Sequence, residues 1–277
     1  MQPLLVVLPY HAGDFQLAQK LLVWINELGS CKPHSILLCA DSQVSRDDMM
    51  KLMDLARPNF HKASTMICSV PTATAEKKVW APNVMFLAAA LQVHTNYRMD
   101  FLWLEPDAIP IYPGWLNDLA DEYEDCPRRY MGSIVPSNGQ PNLPPSYLNG
   151  VGIYPNDAIR DFENIESVKS SEQAFDIGSA GVIVPKSLNT PSIRHYYGTK
   201  ELPPTFVEAR AVDAPKNHVT LDFVGEDTII FHRSKDGNLI ELLRKKGVRK
   251  TSNPSLADAP PDVPPTTPPK TIPARRA

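Results

Sequence analysis

The sequence predicts one α/β domain built on a mostly parallel sheet. Through the first hundred or so residues, short apolar runs alternate with segments of helical periodicity. Strands that are apolar throughout are typical of a sheet covered by helices on both faces. Apolar residues make up 43% of the chain and charged residues 21%, which is ordinary globular usage and allows a sizeable core.

The first half of the chain gives the clearest elements. An apolar run at 4–10 predicts the first strand, and helical spacing from Phe15 to Leu28, ended by Gly29, predicts the first helix. Pro82 suits the first turn of a helix. The other elements predicted here are strands at 35–41, 64–70 and 100–108, and helices at 47–55, 82–94 and from 115 onwards.

The second half is less regular. Its patterns predict strands at 130–135, 151–154 and 180–184, helices at 156–162 and 239–245, and a loop-rich stretch at 190–224. The final segment holds eight of the 28 prolines and little apolar content to bury. We therefore expect a single domain over residues 1–250 and a disordered, proline-rich tail over 251–277.

Charge and hydropathy argue against several classes of function. A formal net charge of −3 without a basic stripe argues against a nucleic-acid or membrane surface. The start of the chain lacks a cationic leader, and no apolar run approaches the roughly 18 residues needed to span a bilayer. The four cysteines have no CxxC spacing, which favours reduced thiols. We expect a cytoplasmic protein without membrane insertion.

The sharpest motif is Leu104-Glu105-Pro106-Asp107, where two carboxylates follow an apolar strand. Such a pair can approach one hard cation, Mg²⁺ or Mn²⁺, together with substrate phosphates. The alternative is that Glu105 and Asp107 are ordinary turn residues. The carboxyl ends of parallel strands are where ligands bind in sheets of this class, which favours the metal interpretation.

A second motif, Phe231-His232-Arg233-Ser234-Lys235, comes late in the chain. His232 follows an apolar run and can supply a third metal ligand, while Lys235 can pair with a phosphate. A histidine in this position is also compatible with a purely structural, hydrogen-bonded role.

Taken together, these segments resemble glycosyltransferases of the GT-A fold over residues 4 to about 246. The segment WAPNVMFLAAALQV followed by DFLWLEPDA is similar to the helix and strand that precede the family's DxD-type motif, with Glu105 replacing the usual first Asp. FHRSKDGNLIELLR resembles the family's late histidine segment. The resemblance implies a Mn²⁺ or Mg²⁺ site at Glu105, Asp107 and His232, with Lys235 on phosphate and the carboxylates near the donor diphosphate and ribose.

Further donor contacts are expected from residues at the strand ends. Tyr10 and His11 follow the first strand and can stack on or hydrogen-bond a base, and Asp41 can bind a base or ribose edge. Asn83 lies where the helix of the resembled family faces the nucleotide. Each of these residues also has an ordinary alternative as a loop, capping or packing residue.

The acceptor side is less defined. Asp176 stands between apolar neighbours, where a desolvated carboxylate can act as general base on an acceptor hydroxyl, which would invert the anomeric centre. A capped or ion-paired Asp176 is the alternative. The glycines of Tyr147-Leu148-Asn149-Gly150-Val151-Gly152 allow close backbone approach to a ligand or form a tight turn. Residues 194–198 offer cationic and aromatic groups for a sugar or base.

The expected reaction is transfer of a sugar from a nucleotide-sugar donor, such as a UDP-sugar, to a hydroxyl on a saccharide, a protein or a modified nucleic acid, as in a bacterial or phage setting. A nucleotidyltransferase is the first alternative, although the loop after the first strand has one glycine and no cation before Lys20. A non-catalytic binding module, using the proline-rich tail, is the second.

Overall fold

The computed structural model describes residues 1–69, 80–137, 143–169, 172–195, 221, 224–232 and 238–247. Within these ranges, seven strands form one sheet in the order β3-β2-β1-β4-β7-β6-β8, and three short strands form a second sheet in the order β5-β10-β9. The predicted tail at 251–277 and most of the loop-rich stretch at 190–224 lie outside the described residues. No helix in the described part of the chain is long and apolar enough to cross a bilayer.

The first half of the chain has the predicted alternation of strands and helices. Its elements are β1 (Leu5–Tyr10), α1 (Phe15–Leu28), β2 (Ser35–Asp41), α2 (Arg46–Ala56), β3 (Ala63–Cys68), α3 (Trp80–Gln92), β4 (Phe101–Trp103), β5 (Ile109–Pro110) and α4 (Trp115–Glu124). A π-helical turn, Val93–Tyr97, extends α3. The strands β3, β2, β1 and β4 are parallel, so the predicted parallel sheet is confirmed for this half.

The ends of the first helices follow from local chemistry. Gly29 closes α1 with φ of 107°, a conformation that favours glycine, and its N–H donates to the carbonyl of Ile25. The Ser45 side chain caps α2 by accepting from the N–H of Asp48. These signals lie within a few residues of the elements they end, which is why the predicted bounds are close to the observed ones.

The second half begins with two long antiparallel strands and continues through short segments. Its elements are β6 (Tyr130–Pro136), β7 (Ser146–Tyr154), α5 (Ile159–Phe162), α6 (Glu166–Lys169), α7 (Phe175–Gly178), α8 (Ala180–Ile183), β8 (Ser187–Asn189), β9 (Ile193–His195), β10 (Ile230–His232) and α9 (Asn238–Lys246). β7 runs antiparallel to both β4 and β6, so the sheet is mixed at this side.

One predicted strand is wrong in this structure, and another is predicted too long. Residues 180–184 form α8 and a following 3-10 turn, because Ala180 and Ile183 are buried one helical turn apart while Val182 is 39% exposed. A short apolar run alone does not distinguish these outcomes. The strand predicted at 100–108 stops at Trp103, because Glu105 to Ala108 form a turn with Pro106 at its second position and an Ala108 N–H to Glu105 carbonyl bond of 2.9 Å.

The sheet separates two buried layers. On one side α1, α2 and α4 cover alternate residues of β1 and β2, including Val6, Leu8 and Tyr10. On the other side an aromatic cluster surrounds Phe86 of α3, whose ring stacks on Phe175 of α7 at 4.0 Å between centroids. This packing fixes α7 against β7, near the carboxyl end of β4.

Candidate active site

Three predicted ligands meet at the carboxyl end of β4. The Nε2 atom of His232 lies 3.1 Å from Glu105 Oε2 and 3.4 Å from Asp107 Oδ1. The His232 and Asp107 side chains are buried, and the Glu105 side chain is 31% exposed. The structure therefore brings together side chains that are as far as 127 positions apart in sequence.

Strand pairing explains this meeting. β5 follows the turn that carries Glu105 and Asp107, and β10 pairs with it in antiparallel register, with Phe231 opposite Ile109. That register carries His232, the last residue of β10, back to the turn. The expected approach of a late histidine to the two carboxylates thus depends on a strand pair of two residues.

The electrostatics of the cluster favour a positive charge between the carboxylates. Burial disfavours protonation of His232, but the charges and hydrogen bonds of Glu105 and Asp107 outweigh it and raise the pKa of His232 to about 9. A buried centre that stabilises an imidazolium will also attract a metal cation, which competes with that proton for Nε2.

The donor set fits a divalent cation. One oxygen of Glu105, one of Asp107 and one nitrogen of His232 all lie within 4.8 Å of one another. Ligands about 2.1 Å from an octahedral ion are roughly 3 Å apart, which agrees with the measured separations. Two carboxylates and one imidazole are a donor set that suits a divalent cation such as Mn²⁺ or Mg²⁺.

Two further side chains lie behind His232, and no metal-site role was predicted for either. Asn149 of β7 places its Oδ1 2.7 Å from His232 Nδ1. His195 of β9 places its Nδ1 3.0 Å from the same nitrogen. Asn149 belongs to the Tyr147–Gly152 segment, which forms strand rather than a tight turn. An Asn-Gly pair in a strand is unusual and was the available signal.

Gly150 allows β7 to approach Glu105 closely. A Cβ added at position 150 would lie 2.8 Å from Glu105 Oε1. The bare glycine backbone therefore leaves the space that the Glu105 carboxylate occupies. The sequence predicted that this glycine allows close approach to a ligand. In the structure, Gly150 allows close approach of the Glu105 side chain.

Asp176 lies on α7 next to this site. Its Oδ1 accepts the N–H of Ile177 at 2.9 Å. Burial, and after it the charge of Glu105, raises the pKa of Asp176 to about 6. The Asp176 side chain is half-buried, and the charges of Glu105 and His232 act on its carboxylate.

Asn83 supports α7 instead of facing the cleft. The residue is 1% exposed, and its amide donates to the carbonyls of Val168 and Gln173 at 3.1 and 2.8 Å. Its oxygen accepts the N–H of Phe175 at 2.7 Å. These bonds do not leave the side chain available for the nucleotide contact expected from the sequence, because the α6–α7 segment folds over it.

A cavity of about 240 Å³ adjoins the cluster. The residues lining it come from the ends of β1, β2 and β4 and from α1, α3 and α7, and they include Asp14, Asp41, Glu105 and Asp107. No lysine or arginine belongs to that lining within the described ranges. The described part of the cavity wall is therefore acidic and apolar.

The predicted donor contacts at the strand ends differ in outcome. Asp41 is buried at the cavity, with its Oδ1 accepting from Ser42 Oγ at 3.2 Å. His11 is exposed at the cavity rim and contacts Asp14 at 2.9 Å. Tyr10 also lines the cavity, but it is only 1% exposed, because the alternation of β1 directs its ring into the core with Leu8. So little exposed surface leaves almost no area of the ring for the expected stacking on a base.

Two other predicted groups are not placed. Lys235, expected on phosphate, lies outside the described residues, as do Tyr196 and Tyr197 of the proposed acceptor segment. Of that segment, Arg194 and His195 belong to β9.

Comparisons with known proteins show similarity in structure alone. No protein-family model matches the sequence, and no curated protein matches it. The galactosyltransferase LgtC, solved with donor and acceptor sugar analogues, aligns with a TM-score of 0.53 and 12% identity over 88% of this chain and 96% of its own. The glycosyltransferase GlyE of Streptococcus pneumoniae TIGR4 aligns with a TM-score of 0.53 and 13% identity, over 89% of this chain and 61% of its own.

The bifunctional glycosyltransferase WbbM aligns with a TM-score of 0.51 and 12% identity. The alignment covers 84% of this chain and 46% of WbbM, so this chain spans less than half of that protein. At these identities the similarity establishes the fold. The chain has the GT-A fold, as the sequence predicted.

Proposed function

We propose that this chain is a metal-dependent glycosyltransferase that moves a sugar from a nucleotide-sugar donor, such as a UDP-sugar, to an acceptor hydroxyl. The observation that carries the proposal is the cluster of Glu105, Asp107 and His232 at the carboxyl edge of a GT-A sheet. Ligands bind at this edge in open α/β sheets, and a cavity adjoins the cluster there.

The charge of the cavity supports a metal requirement. A nucleoside diphosphate carries negative charge into a wall that contains Asp14, Asp41, Glu105 and Asp107. The described part of that wall has no lysine or arginine to balance it. A divalent cation bound by these residues would supply Lewis-acid stabilisation for the charge of the departing diphosphate.

Protein side chains would bind the ion and the donor. Glu105, Asp107 and His232 would hold the ion, and Asp41 would bind the ribose or base in the cavity. His11 at the rim would contact the donor from the open side. Lys235 keeps its proposed role as a phosphate contact.

Asp176 is the proposed general base. With a pKa raised to about 6, it is mostly ionised at neutral pH and basic enough to accept a proton from an acceptor hydroxyl. It lies on α7, which packs against β7 and the aromatic cluster. Direct attack assisted by this base would invert the anomeric centre.

Thermal unfolding with ligands tests the proposal. Nucleoside diphosphates and nucleotide sugars would each be added with Mn²⁺, Mg²⁺ or EDTA. A ligand at about a hundred times its Kd adds roughly 2.7 kcal/mol, which corresponds to about 5–10 °C for a domain of this size. We expect a metal-dependent shift of this order with UDP or a UDP-sugar.

Other outcomes of this experiment would contradict the proposal in distinct ways. A nucleotide shift that EDTA does not change would make the cluster an internal ion network around charged His232. The absence of any nucleotide shift would instead remove the donor site and favour a binding module. A triphosphate preferred over every nucleotide sugar would favour a nucleotidyltransferase.

A further inference from the structure

The metal ligand His232 is held from behind by a residue on another strand. Its Nε2 faces Glu105 and Asp107, while its Nδ1 lies 2.7 Å from Asn149 Oδ1. Asn149 and His232 are both buried, at 7% and 4% exposure. We infer that Asn149 is a positioning residue of the metal site, an inference that rests on the proposed function.

The chemistry of the two partners supports this role. The Asn149 oxygen only accepts hydrogen bonds, so its contact requires a hydrogen on His232 Nδ1. The neutral ring then carries its lone pair on Nε2, the nitrogen that faces the carboxylates. Ligating histidines in proteins are commonly oriented by such an acceptor on the distal nitrogen.

His195 does not provide the same selection. Its Nδ1 is 3.0 Å from His232 Nδ1, but a ring nitrogen donates or accepts according to its tautomer. The amide oxygen of Asn149 has one role only. Asn149 on β7 therefore sets the tautomer of His232, and the tautomer of His195 adjusts to it.

The next residue of β7 acts on a second ligand. Gly150 leaves room for Glu105, whose Oε1 lies 2.8 Å from the position that a Cβ would take. That oxygen is the end of a flexible side chain, so an added methyl would move the carboxylate rather than the strand. Asn149 and Gly150 together position two of the three proposed ligands.

The chain contains a matched control for Asn149. At the opposite edge of the sheet, Asn117 Oδ1 lies 2.9 Å from Nε2 of buried His34. The substitutions Asn149→Ala and Asn117→Ala each remove an amide oxygen from a buried histidine. Only the first of these histidines belongs to the proposed metal site.

Mn²⁺ titration followed by electron paramagnetic resonance measures the expected effect on the full chain, with Mn²⁺ alone and with Mn²⁺ and UDP. Asn149→Ala should weaken Mn²⁺ binding about 10–100-fold. Asn149→Asp keeps an acceptor on Nδ1 and should restore it, and Asn117→Ala should leave the affinity unchanged. Gly150→Ala should also weaken binding, while circular dichroism shows a retained fold.

The outcomes separate this inference from the proposed function. If the unmodified chain binds Mn²⁺ but Asn149→Ala binds it equally well, the positioning role is overturned and the metal site stands. If the unmodified chain does not bind Mn²⁺ with or without UDP, the proposed metal site fails and this inference fails with it. Should Asn149→Ala not fold, the nearly isosteric Asn149→Leu carries the same test.

Discussion

Two buried histidines occupy opposite edges of the central sheet and differ in charge. His34, which precedes β2 at the amino edge, is 0% exposed, and His232 near the carboxyl edge is 4% exposed. Each has one ring nitrogen within 2.9 Å of an asparagine oxygen, from Asn117 and Asn149 respectively. Burial lowers the pKa of His34, with Asn117 and Asp121 opposing it, whereas the pKa of His232 is raised to about 9.

The second ring nitrogen explains the difference. In His34 it accepts the backbone N–H of Leu4 at 3.0 Å, which requires a neutral ring. In His232 it faces the carboxylates of Glu105 and Asp107, which favour a cation. Burial alone therefore does not decide the charge of a histidine. At the amino edge, His34 joins chain segments through hydrogen bonds. At the carboxyl edge, His232 carries a positive charge.

Removing a carboxylate from the carboxyl edge should have the largest effect. Asp107→Ala should lower sugar transfer by at least about 10³-fold, because several kcal/mol of charge stabilisation are lost. Release of nucleoside diphosphate from the donor sugar measures turnover, and the metal-dependent thermal shift should disappear as well. Asp176→Asn should lower turnover but keep that shift. Turnover that survives Asp107→Ala would show that the metal assignment is wrong.

The pH dependence of the metal-free protein should show the charge of His232. The pKa of His232 is about 9 in the folded protein and about 6.5 in the unfolded chain. The contribution of His232 to the free energy of unfolding is therefore fully present below pH 6.5 and is lost as the pH rises through 9. The free energy of unfolding in EDTA should fall by up to about 3 kcal/mol over this interval. Urea denaturation at several pH values measures it, and His232→Gln should remove most of the slope.

Replacing the neutral histidine should affect stability alone. His34→Ala leaves the Leu4 N–H and the Asn117 side chain without this partner and opens a cavity. We expect the free energy of unfolding to fall by about 2–3 kcal/mol in urea. Mn²⁺ affinity and the nucleotide shift should stay unchanged. A loss of Mn²⁺ affinity in this variant would mean that the two edges are coupled, and the comparison would no longer hold.

Much of the carboxyl edge was predictable from local patterns. The apolar runs of β1 and β2 end at Tyr10 and Asp41, and the two carboxylates of Glu105 and Asp107 follow β4. Parallel strands place such ends at one edge, so a shared site could be inferred without coordinates. Local patterns did not show that the Tyr10 ring is in the core, because the covering of each sheet face depends on how α1 and α2 pack.

The contacts between distant segments were less predictable. Asn83 and Asn149 are both buried asparagines, yet one supports the backbone of α7 and the other contacts the proposed metal ligand His232. Residue type and position in the sequence do not distinguish these two roles of an asparagine, because each role depends on which segment folds over the asparagine side chain. The four-residue helix at 180–183 was predicted as a strand, because tertiary packing outweighs the local conformational preference of so short an apolar run.

Local patterns predicted the alternation of strands and helices in the first half and the carboxylate pair at the end of β4, because periodicity, caps and spacing act over a few residues. The GT-A class of fold was predicted from the resemblance of longer segments to that family. The resemblance also predicted that His232 joins Glu105 and Asp107. The tertiary structure was needed to show how His232 reaches the two carboxylates and that Asn149 lies behind it. Both depend on pairings of short strands from distant parts of the chain, and the same neighbours then set the charge of the buried ring.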